Sequence, residues 1–184
     1  MIYIMSFKGA SANRVYNREA LATQLDAKIY IGENPCMNFV EILKLNKGKD
    51  LLLLEDDVRL CNNFISKLYT ALNKFPNQVI NFHYNYGDTL QQLPVKHYGF
   101  NQCVFFPAKI AENMIKPCTD FIKHYIYFVK NKDYSVQIKY GLMHSGAETF
   151  IAYEPKLVEH LNLGSAIGNK HSPTRNFIDE KETV

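Results

Sequence analysis

The sequence predicts an α/β fold, in which a mostly parallel sheet is flanked by helices within a single domain. Residues 2–50 alternate between short β-rich runs and amphipathic stretches, in the order strand, helix, strand, helix. Four leucines, residues 51–54, then lead directly into Glu55, Asp56 and Asp57. An apolar run that ends abruptly in charge is typical of a buried parallel strand. With 184 residues, the chain is long enough to bury one sizeable core.

The first half of the chain is predicted to contain three strands separated by two helices. Apolar residues at helical spacing mark the helices, and polar or glycine-bearing turns separate the elements. The predicted strands are residues 2–7, 28–31 and 51–54, and the predicted helices are residues 13–26 and 37–46.

The second half continues the alternation less regularly. Asn62 or Asn63 can cap a helix that ends at Pro76, and Pro107 suits the first turn of a later helix. Residues 83–98 are polar and aromatic with little periodicity, which predicts a long loop or a hairpin. The predicted strands are residues 79–82, 101–106 and 149–153, and the predicted helices are residues 62–75, 108–115, 119–130 and 133–140.

Composition narrows the class of protein. The formal net charge of +3 is compatible with anionic ligands but is far from the strong positive charge of a dedicated nucleic-acid binder. No stretch approaches 18 apolar residues, so no transmembrane helix is predicted, and the first residues lack the basic start of a signal peptide. The four cysteines form no CxxC pair, which predicts reduced thiols in a cytoplasmic protein, although two disulfides in a secreted protein stay open.

The three acids after the leucine strand predict a metal site. Ligands of open α/β sheets bind outside the carboxyl ends of strands, where these acids would lie. Adjacent carboxylates repel one another and need a compensating cation, and hard oxygen ligands select Mg²⁺ or Mn²⁺, which usually also contact a substrate phosphate. On an extended strand Glu55 and Asp57 share a face, whereas Asp56 points the other way. The alternative interpretation is a solvated acidic turn.

The arrangement resembles the GT-A fold of nucleotide-sugar glycosyltransferases. In that fold an apolar strand precedes the metal motif, often written DxD, and the form EDD found here at residues 55–57 occurs in family 25-like lipooligosaccharide enzymes and in some N-acetylglucosaminyltransferases. Residues 153–168 resemble the closing pattern of the family, in which a strand ends at a proline and a histidine and a Gly-Ser segment follow. Residues 99–107 resemble its acceptor-side strand and the start of the next helix.

The resemblance implies specific roles for the residues of these motifs. Asp57 is then a direct metal ligand, and Glu55 or Asp56 contacts the ribose or a metal-bound water. His160 is a further metal or phosphate contact, and its alternative is a surface histidine after a strand. The implied cofactor is Mn²⁺ or Mg²⁺, and the implied donor is a nucleoside-diphosphate sugar, most simply a UDP-sugar.

A transferase also needs a base that takes the proton of the acceptor hydroxyl. Asp133 is the first candidate, because it follows the acceptor-side helices and precedes a helix start. The alternative role of Asp133 is an ordinary helix N-cap, which aspartate often fills. Glu148 and Asp120 are the second candidates.

Basic and polar residues at both ends of the chain are candidate nucleotide contacts. Ser6 and Arg14 follow the first strand, where these enzymes seat the nucleotide, whereas Arg18 fits a solvated helix face better. In the tail, Lys170 and Arg175 could fold over the diphosphate as a lid. We therefore expect a catalytic domain over residues 1–163 and a flexible tail over residues 164–184, for which a simple disordered terminus is the alternative. The aromatic residues 82–86 fit either an acceptor pocket or loop packing.

Three functions follow from these patterns. The first is a metal-dependent glycosyltransferase whose acceptor is a saccharide, a lipooligosaccharide or a hydroxymethylated DNA base. The second is a non-catalytic nucleotide-sugar-binding module on a degenerate GT-A fold. The third is a metal-dependent nucleotidyltransferase, which is disfavoured because no glycine-rich phosphate loop follows the first strand.

Overall fold

The computed structural model describes residues 1–85, 89–161 and 163. Within them the first half of the chain folds as predicted, with each strand followed by a helix. Asn34 accepts hydrogen bonds from the backbone at the start of the second helix, and Pro35 occupies its first turn. The elements are β1 (Ile2–Phe7), α1 (Ala12–Leu25), β2 (Lys28–Gly32), α2 (Pro35–Leu45) and β3 (Leu51–Glu55).

The described residues of the second half form six strands and four helices. A short 3₁₀ turn at Val95–His97 separates two of the strands. The elements are β4 (Val58–Leu60), α3 (Phe64–Lys74), β5 (Val79–Asn81), β6 (Gln91–Pro94), β7 (Cys103–Phe106), α4 (Ala108–His124), α5 (Ile126–Lys130), α6 (Tyr134–His144), β8 (Thr149–Ala152) and β9 (Val158–His160).

Seven strands form one central sheet in the order β2-β1-β3-β7-β5-β8-β6. The strands β2, β1, β3, β5 and β8 run in the same direction, and β7 and β6 run against them. The predicted α/β class with a mostly parallel sheet is therefore confirmed. The leucine strand β3 has a parallel neighbour in β1 and an antiparallel neighbour in β7.

Helices cover both faces of this sheet, and the side chains of β3 show how. Leu51 and Leu53 belong to the core beneath α2, α4 and α6, whereas Leu52 and Leu54 belong to the core beneath α1 and α3. All four leucines are buried. A strand covered on both faces buries every side chain, which explains why the sequence shows a continuous apolar run instead of an alternating one.

The second half differs from the prediction at three places. Residues 108–124 form one helix that continues through Pro117, instead of ending before it, because its buried face packs against α2 and α6. Part of the predicted loop 83–98 is the edge strand β6, which pairs with β8. The small two-stranded sheet of β4 and β9 was not predicted at all.

Candidate functional site

The three acids lie at the edge of the sheet where its parallel strands have their carboxyl ends. Glu55 is the last residue of β3, and the chain turns through Asp56 and Asp57 into β4. Strand β9 pairs antiparallel with β4, with His160 opposite Val58. The backbone N–H of Leu161 also donates to the carbonyl of Asp57 at 2.7 Å. This pairing brings together Asp57 and His160, which are 103 positions apart in the chain.

Glu55, Asp57 and His160 form a cluster suited to a metal ion. One ligand atom from each of them lies within 4.8 Å of the other two. Nε2 of His160 lies 3.1 Å from Oδ2 of Asp57. The other carboxylate oxygen of Asp57, Oδ1, is buried and has no hydrogen-bond partner among the described residues. The donor set therefore consists of an imidazole and two carboxylates, one of which has an unsatisfied buried oxygen. Such a set fits a divalent cation.

The electrostatics of the cluster also favour an added positive charge. Burial, and after it the charge of Asp57, raises the pKa of Glu55 to about 7. Burial disfavours the charged form of His160, but the hydrogen bond and charge of Asp57 outweigh burial and raise the pKa of this imidazole. The raised pKa of His160 shows that the carboxylate of Asp57 favours positive charge at this place.

Arg14 is a cation of the protein itself that neutralises part of the negative charge of Asp56 and Asp57. Its Nη1 lies 2.9 Å from Oδ2 of Asp57, and its Nε donates to Oδ1 of Asp56 at 2.8 Å. The helix α1 places this guanidinium, and Ser11 caps the start of α1. The side chains of Arg14 and Asp56 are almost wholly buried, so this is a desolvated ion pair.

Asp56 lies in the turn after β3 and is not a member of the cluster. Its carboxylate accepts hydrogen bonds from Arg14 and from the hydroxyl of the buried Ser6. A contact of Asp56 or Ser6 with a nucleotide stays a prediction, because both groups are engaged inside the protein. The prediction of a solvated Arg18 was wrong: its side chain is 12% exposed, and its guanidinium donates to Ser6 at 3.1 Å.

Tyr134 is a site residue that the sequence did not single out. Its hydroxyl donates to Oε1 of Glu55, and its ring packs against Phe39 in the core. It is the first residue of α6, so this helix and the acidic strand end are held together. A tyrosine at a helix start carries no sequence signal of such a contact, because the partner lies 79 residues away.

His83 contacts both the backbone of β9 and the ring of His160. Its Nδ1 lies 3.2 Å from the carbonyl oxygen of Val158, and its ring packs edge to face against His160. Burial lowers the pKa of His83 to about 4, so its imidazole is neutral at physiological pH and Nδ1–H can donate to this carbonyl. Phe82, His83 and Tyr84 are all buried, so these aromatic residues pack the interior, which was one of the two predicted roles.

A buried ion pair shapes the turn that leads from β8 to β9. Nζ of Lys156 lies 2.6 Å from Oε1 of Glu154, and the lysine side chain is completely inaccessible. A buried lysine requires such a partner. The pair therefore fixes the chain just before His160.

The candidate bases lie at different places. Asp133 caps α6, accepting from the N–H of Val136 at 3.5 Å and from the hydroxyl of Ser135 at 2.6 Å, next to the site residue Tyr134. Glu148 is exposed before the first residue of β8, at the opposite edge of the sheet from Glu55. Asp120 forms a surface ion pair with Lys116. The structure thus brings Asp133 toward the acidic cluster but not Glu148 or Asp120.

The remaining candidates belong to the tail. Lys170, Arg175 and the whole of residues 164–184 lie outside the described residues, so the lid stays a prediction. In the part of the chain that the structure describes, we find no helix of the length and apolarity needed to cross a membrane. The four cysteines are buried.

Comparisons with known proteins give a fold and no family. No protein-family model matches the chain, and no curated protein matches it. The crystal structure of A197 from STIV is similar over 87% of this chain and 85% of its own, with a TM-score of 0.51 and 12% identity. A crystal structure of a glycosyltransferase involved in the glycosylation of the major capsid of PBCV-1 covers 68% of this chain and 75% of its own, with a TM-score of 0.35 and 14% identity. The first likeness concerns the fold alone, and the second is too loose to indicate a function.

Proposed function

We propose that this chain is a metal-dependent glycosyltransferase that uses a nucleoside-diphosphate sugar, with UDP as the favoured nucleotide. The observation that carries the proposal is the buried, unpartnered Oδ1 of Asp57 within the cluster of Glu55, Asp57 and His160. The position of the cluster at the carboxyl edge of a mostly parallel sheet supports a ligand site there. The EDD motif and the pattern around His160 support the sugar-transfer chemistry by resemblance.

In this proposal Glu55, Asp57 and His160 hold Mn²⁺ or Mg²⁺. A divalent ion bound there would supply positive charge that stabilises a departing diphosphate. Tyr134 orients the carboxylate of Glu55 through its hydroxyl, and His83 holds the backbone next to His160. Such supporting contacts typically change metal affinity by about 10–100-fold.

The Arg14–Asp56 pair has a separate role. It is buried, and it ties α1 to the turn that carries Asp57. Asp56 thereby fixes the guanidinium, and Ser6 holds Asp56 from the other side. We propose that these three residues position the donor side of the site, and that nucleotide contact comes from the tail residues Lys170 and Arg175.

Proton removal from the acceptor is assigned to Asp133. Its place beside Tyr134 supports this assignment, and its engagement as a helix cap weakens it. The acceptor is proposed to be a saccharide, a lipooligosaccharide or a hydroxymethylated DNA base. We also propose a cytoplasmic location, which the cysteine pattern of the sequence, without a CxxC pair, supports.

One observation favours a second candidate, a nucleotide-sugar-binding module without catalysis. The carboxylates considered as bases are a helix cap, a residue at the opposite sheet edge and a member of a surface ion pair. A protein that binds a donor but has no group to take a proton would not transfer the sugar.

Turnover distinguishes the two functions. A panel of nucleoside-diphosphate sugars is incubated with the protein and Mn²⁺, with and without EDTA, and nucleoside diphosphate release is measured in the presence of mixed saccharide acceptors. A transferase releases the diphosphate only when metal is present. Binding of UDP with Mn²⁺ in calorimetry, without release from any donor or acceptor, would identify the binding module instead.

The metal assignment has its own test. Asp57→Asn keeps the shape of the side chain and removes its charge. Loss of a residue that only supports a ligand lowers metal affinity by up to about 100-fold, so the loss of Mn²⁺ affinity in calorimetry should be larger for Asp57→Asn. Glu159→Gln is the matched control, because this carboxylate neighbours His160 but pairs with Arg59. Equal Mn²⁺ affinities of wild type and a folded Asp57→Asn variant would refute the site.

A further inference from the structure

We propose that a basic and aromatic surface around α5 docks this protein onto an anionic phospholipid membrane. This surface, termed here the α5 patch, consists of Lys123, Tyr125, Ile126, Tyr127 and Lys130. All five residues are exposed. The inference does not depend on the proposed transferase activity.

Three consecutive large apolar side chains of the patch face solvent. Tyr125 is 40% exposed, Ile126 is 55% exposed and Tyr127 is 70% exposed. Single exposed apolar residues are ordinary on a protein surface, but a contiguous group of them marks a binding surface. Tyrosine is enriched where proteins meet the interface of a bilayer, because its ring is apolar and its hydroxyl is polar.

The patch is held rigidly by the layer beneath it. The ring of Tyr125 stacks on the buried Phe121 with centroids 4.9 Å apart, and it packs against Tyr140 at 5.3 Å. Asn34 donates to the carbonyl of Val129 at 2.8 Å, which ties α5 to the start of α2. A surface that is already ordered loses little conformational entropy when it binds.

The charge of the chain is concentrated at this place. Residues 116–132 contain four lysines and one aspartate, a net charge of +3 that equals the formal net charge of the whole protein. The aspartate, Asp120, pairs with Lys116 at 2.6 Å and lies 4.0 Å from Lys123. The rest of the chain sums to zero charge, and two of the four lysines, Lys123 and Lys130, belong to the α5 patch, where they favour an anionic surface.

The composition of the patch fits lipid better than nucleic acid. Its cations are all lysines, whose long stems can lie along an apolar surface while the charge stays at the headgroups. Arginine forks, which suit phosphates in nucleic acids, are absent from residues 116–132. Ile126 cannot stack on a base, whereas it can enter the acyl boundary beside Tyr127.

The α5 patch also lies at the carboxyl edge of the sheet. The chain passes from α5 into α6, and the first residue of α6, Tyr134, contacts Glu55. Docking through the patch would therefore place the acidic cluster close to the membrane surface. In this orientation the acidic cluster could reach a substrate that is attached to a lipid.

Vesicle co-sedimentation tests the proposal directly. The full chain is mixed with vesicles of phosphatidylcholine alone and with vesicles that contain about one third phosphatidylserine. We expect binding only to the anionic vesicles, with a partition coefficient that falls about fivefold for each of Lys123→Gln and Lys130→Gln. Replacing both Ile126 and Tyr127 by serine should lower it about tenfold or more.

A matched control is available on α3. Ile65 and Tyr69 are 40% and 62% exposed, so their double replacement by serine removes the same two side-chain types from another surface. Binding of the α3 variant should equal that of wild type. All exchanged residues are exposed, and unchanged thermal unfolding curves confirm that each variant is folded.

Three outcomes would overturn the proposal. The first is equal sedimentation with neutral and anionic vesicles, or equal loss for the α3 and α5 variants. The second is binding of a single-stranded DNA oligonucleotide, followed by fluorescence anisotropy, that the α5 exchanges weaken while vesicle binding is absent. The third is a dimer in sedimentation velocity that the Ile126 and Tyr127 exchanges dissociate, since the patch would then bind a second copy of this chain.

Discussion

Nη1 of Arg14 lies 2.9 Å from Oδ2 of Asp57, so an internal cation already neutralises the carboxylate at the centre of the proposed metal site. The same guanidinium also pairs with Asp56. A divalent ion that binds Asp57 must therefore share this carboxylate with Arg14. The relationship makes the affinity of the site dependent on an arginine that is not itself a metal ligand.

Arg14→Gln should separate fold stability from metal affinity. Removing the guanidinium leaves Asp56 buried without its partner, and breaking a buried ion pair costs about 3–5 kcal/mol of unfolding free energy. The same exchange makes the cluster more negative, so Mn²⁺ affinity should rise. Urea unfolding gives the first quantity, and calorimetry at low temperature gives the second.

The control for this exchange is Arg18→Gln. Arg18 donates to Ser6 and forms an ion pair with Glu19, so its contacts lie beside the acidic cluster and not within it. The Arg18→Gln exchange should leave Mn²⁺ affinity unchanged. A folded Arg14→Gln protein with weakened Mn²⁺ binding would show that Arg14 organises the ligands instead of competing with the ion.

Tyr134→Phe should weaken metal binding without removing a ligand. The hydroxyl of Tyr134 lowers the pKa of Glu55, which burial and Asp57 raise to about 7. Without this hydrogen bond the pKa of Glu55 rises further, less carboxylate is present at neutral pH, and Mn²⁺ affinity should fall by about 10–100-fold.

Tyr98→Phe provides a close comparison. The hydroxyl of Tyr98 is buried but has no hydrogen-bond partner among the described residues. Its removal should leave Mn²⁺ affinity unchanged. Burial, and after it the charge of Glu55, raises the pKa of Tyr98, so similar losses in both variants would mean that any hydroxyl near Glu55, and not the hydrogen bond of Tyr134, supports the site.

His83 makes stability depend on pH. Its pKa is about 4 in the folded protein and about 6.5 in the unfolded chain. Between pH 6.5 and 4, the imidazole of His83 therefore binds a proton in the unfolded state but not in the folded state. The free energy of unfolding falls as the pH is lowered through this window. Neighbouring charges at Lys156 and His160 also disfavour the charged form.

The measurement compares wild type with His83→Gln, which stays neutral at every pH. Between pH 7 and 4.5 the wild-type protein should lose about 2–3 kcal/mol more unfolding free energy than the variant. His97→Gln, at an exposed position, is the control. Parallel pH profiles for wild type and His83→Gln would show that His83 does not titrate in this range.

Asp133 can be tested as a base and as a helix cap in one experiment. Asparagine is as good a cap as aspartate but cannot take a proton, so Asp133→Asn should keep stability and donor binding while transfer slows by about 10²–10⁴-fold. Asp133→Ala should in addition lose about 1 kcal/mol of stability. Turnover of Asp133→Asn near that of wild type would reduce Asp133 to a cap.

The sequence was most informative where neighbouring residues determine the structure. The continuous leucines and the acids that follow them predicted both the buried strand β3 and the place of Glu55 and Asp57. Asp56 stands outside the metal cluster as expected, but Asp56 and Asp57 lie in a turn, so the alternation of a strand is not the reason. The burial of β3 depends on one continuous apolar run, which a sequence displays directly.

Contacts between distant elements could not be predicted in this way. Strands β4 and β9 have three residues each and become stable only by pairing with each other, so neither shows a pattern of its own. Arg18 and Tyr134 have no local signal for contacts with Ser6 and Glu55. At Pro117 the local signal was present but was overridden by packing of the buried helix face.

Asp57 and His160 are separated by 103 positions in the chain, and this distance has a consequence for folding. Closing so long a loop is entropically costly, and proteins with contacts of high sequence separation fold slowly. During synthesis, β1 to β3 can pair before β9 has emerged from the ribosome, whereas the acidic cluster then still lacks its imidazole. The proposed metal site would therefore form only after β9 has been synthesised, which would make Mn²⁺ affinity a sensitive reporter of correct folding.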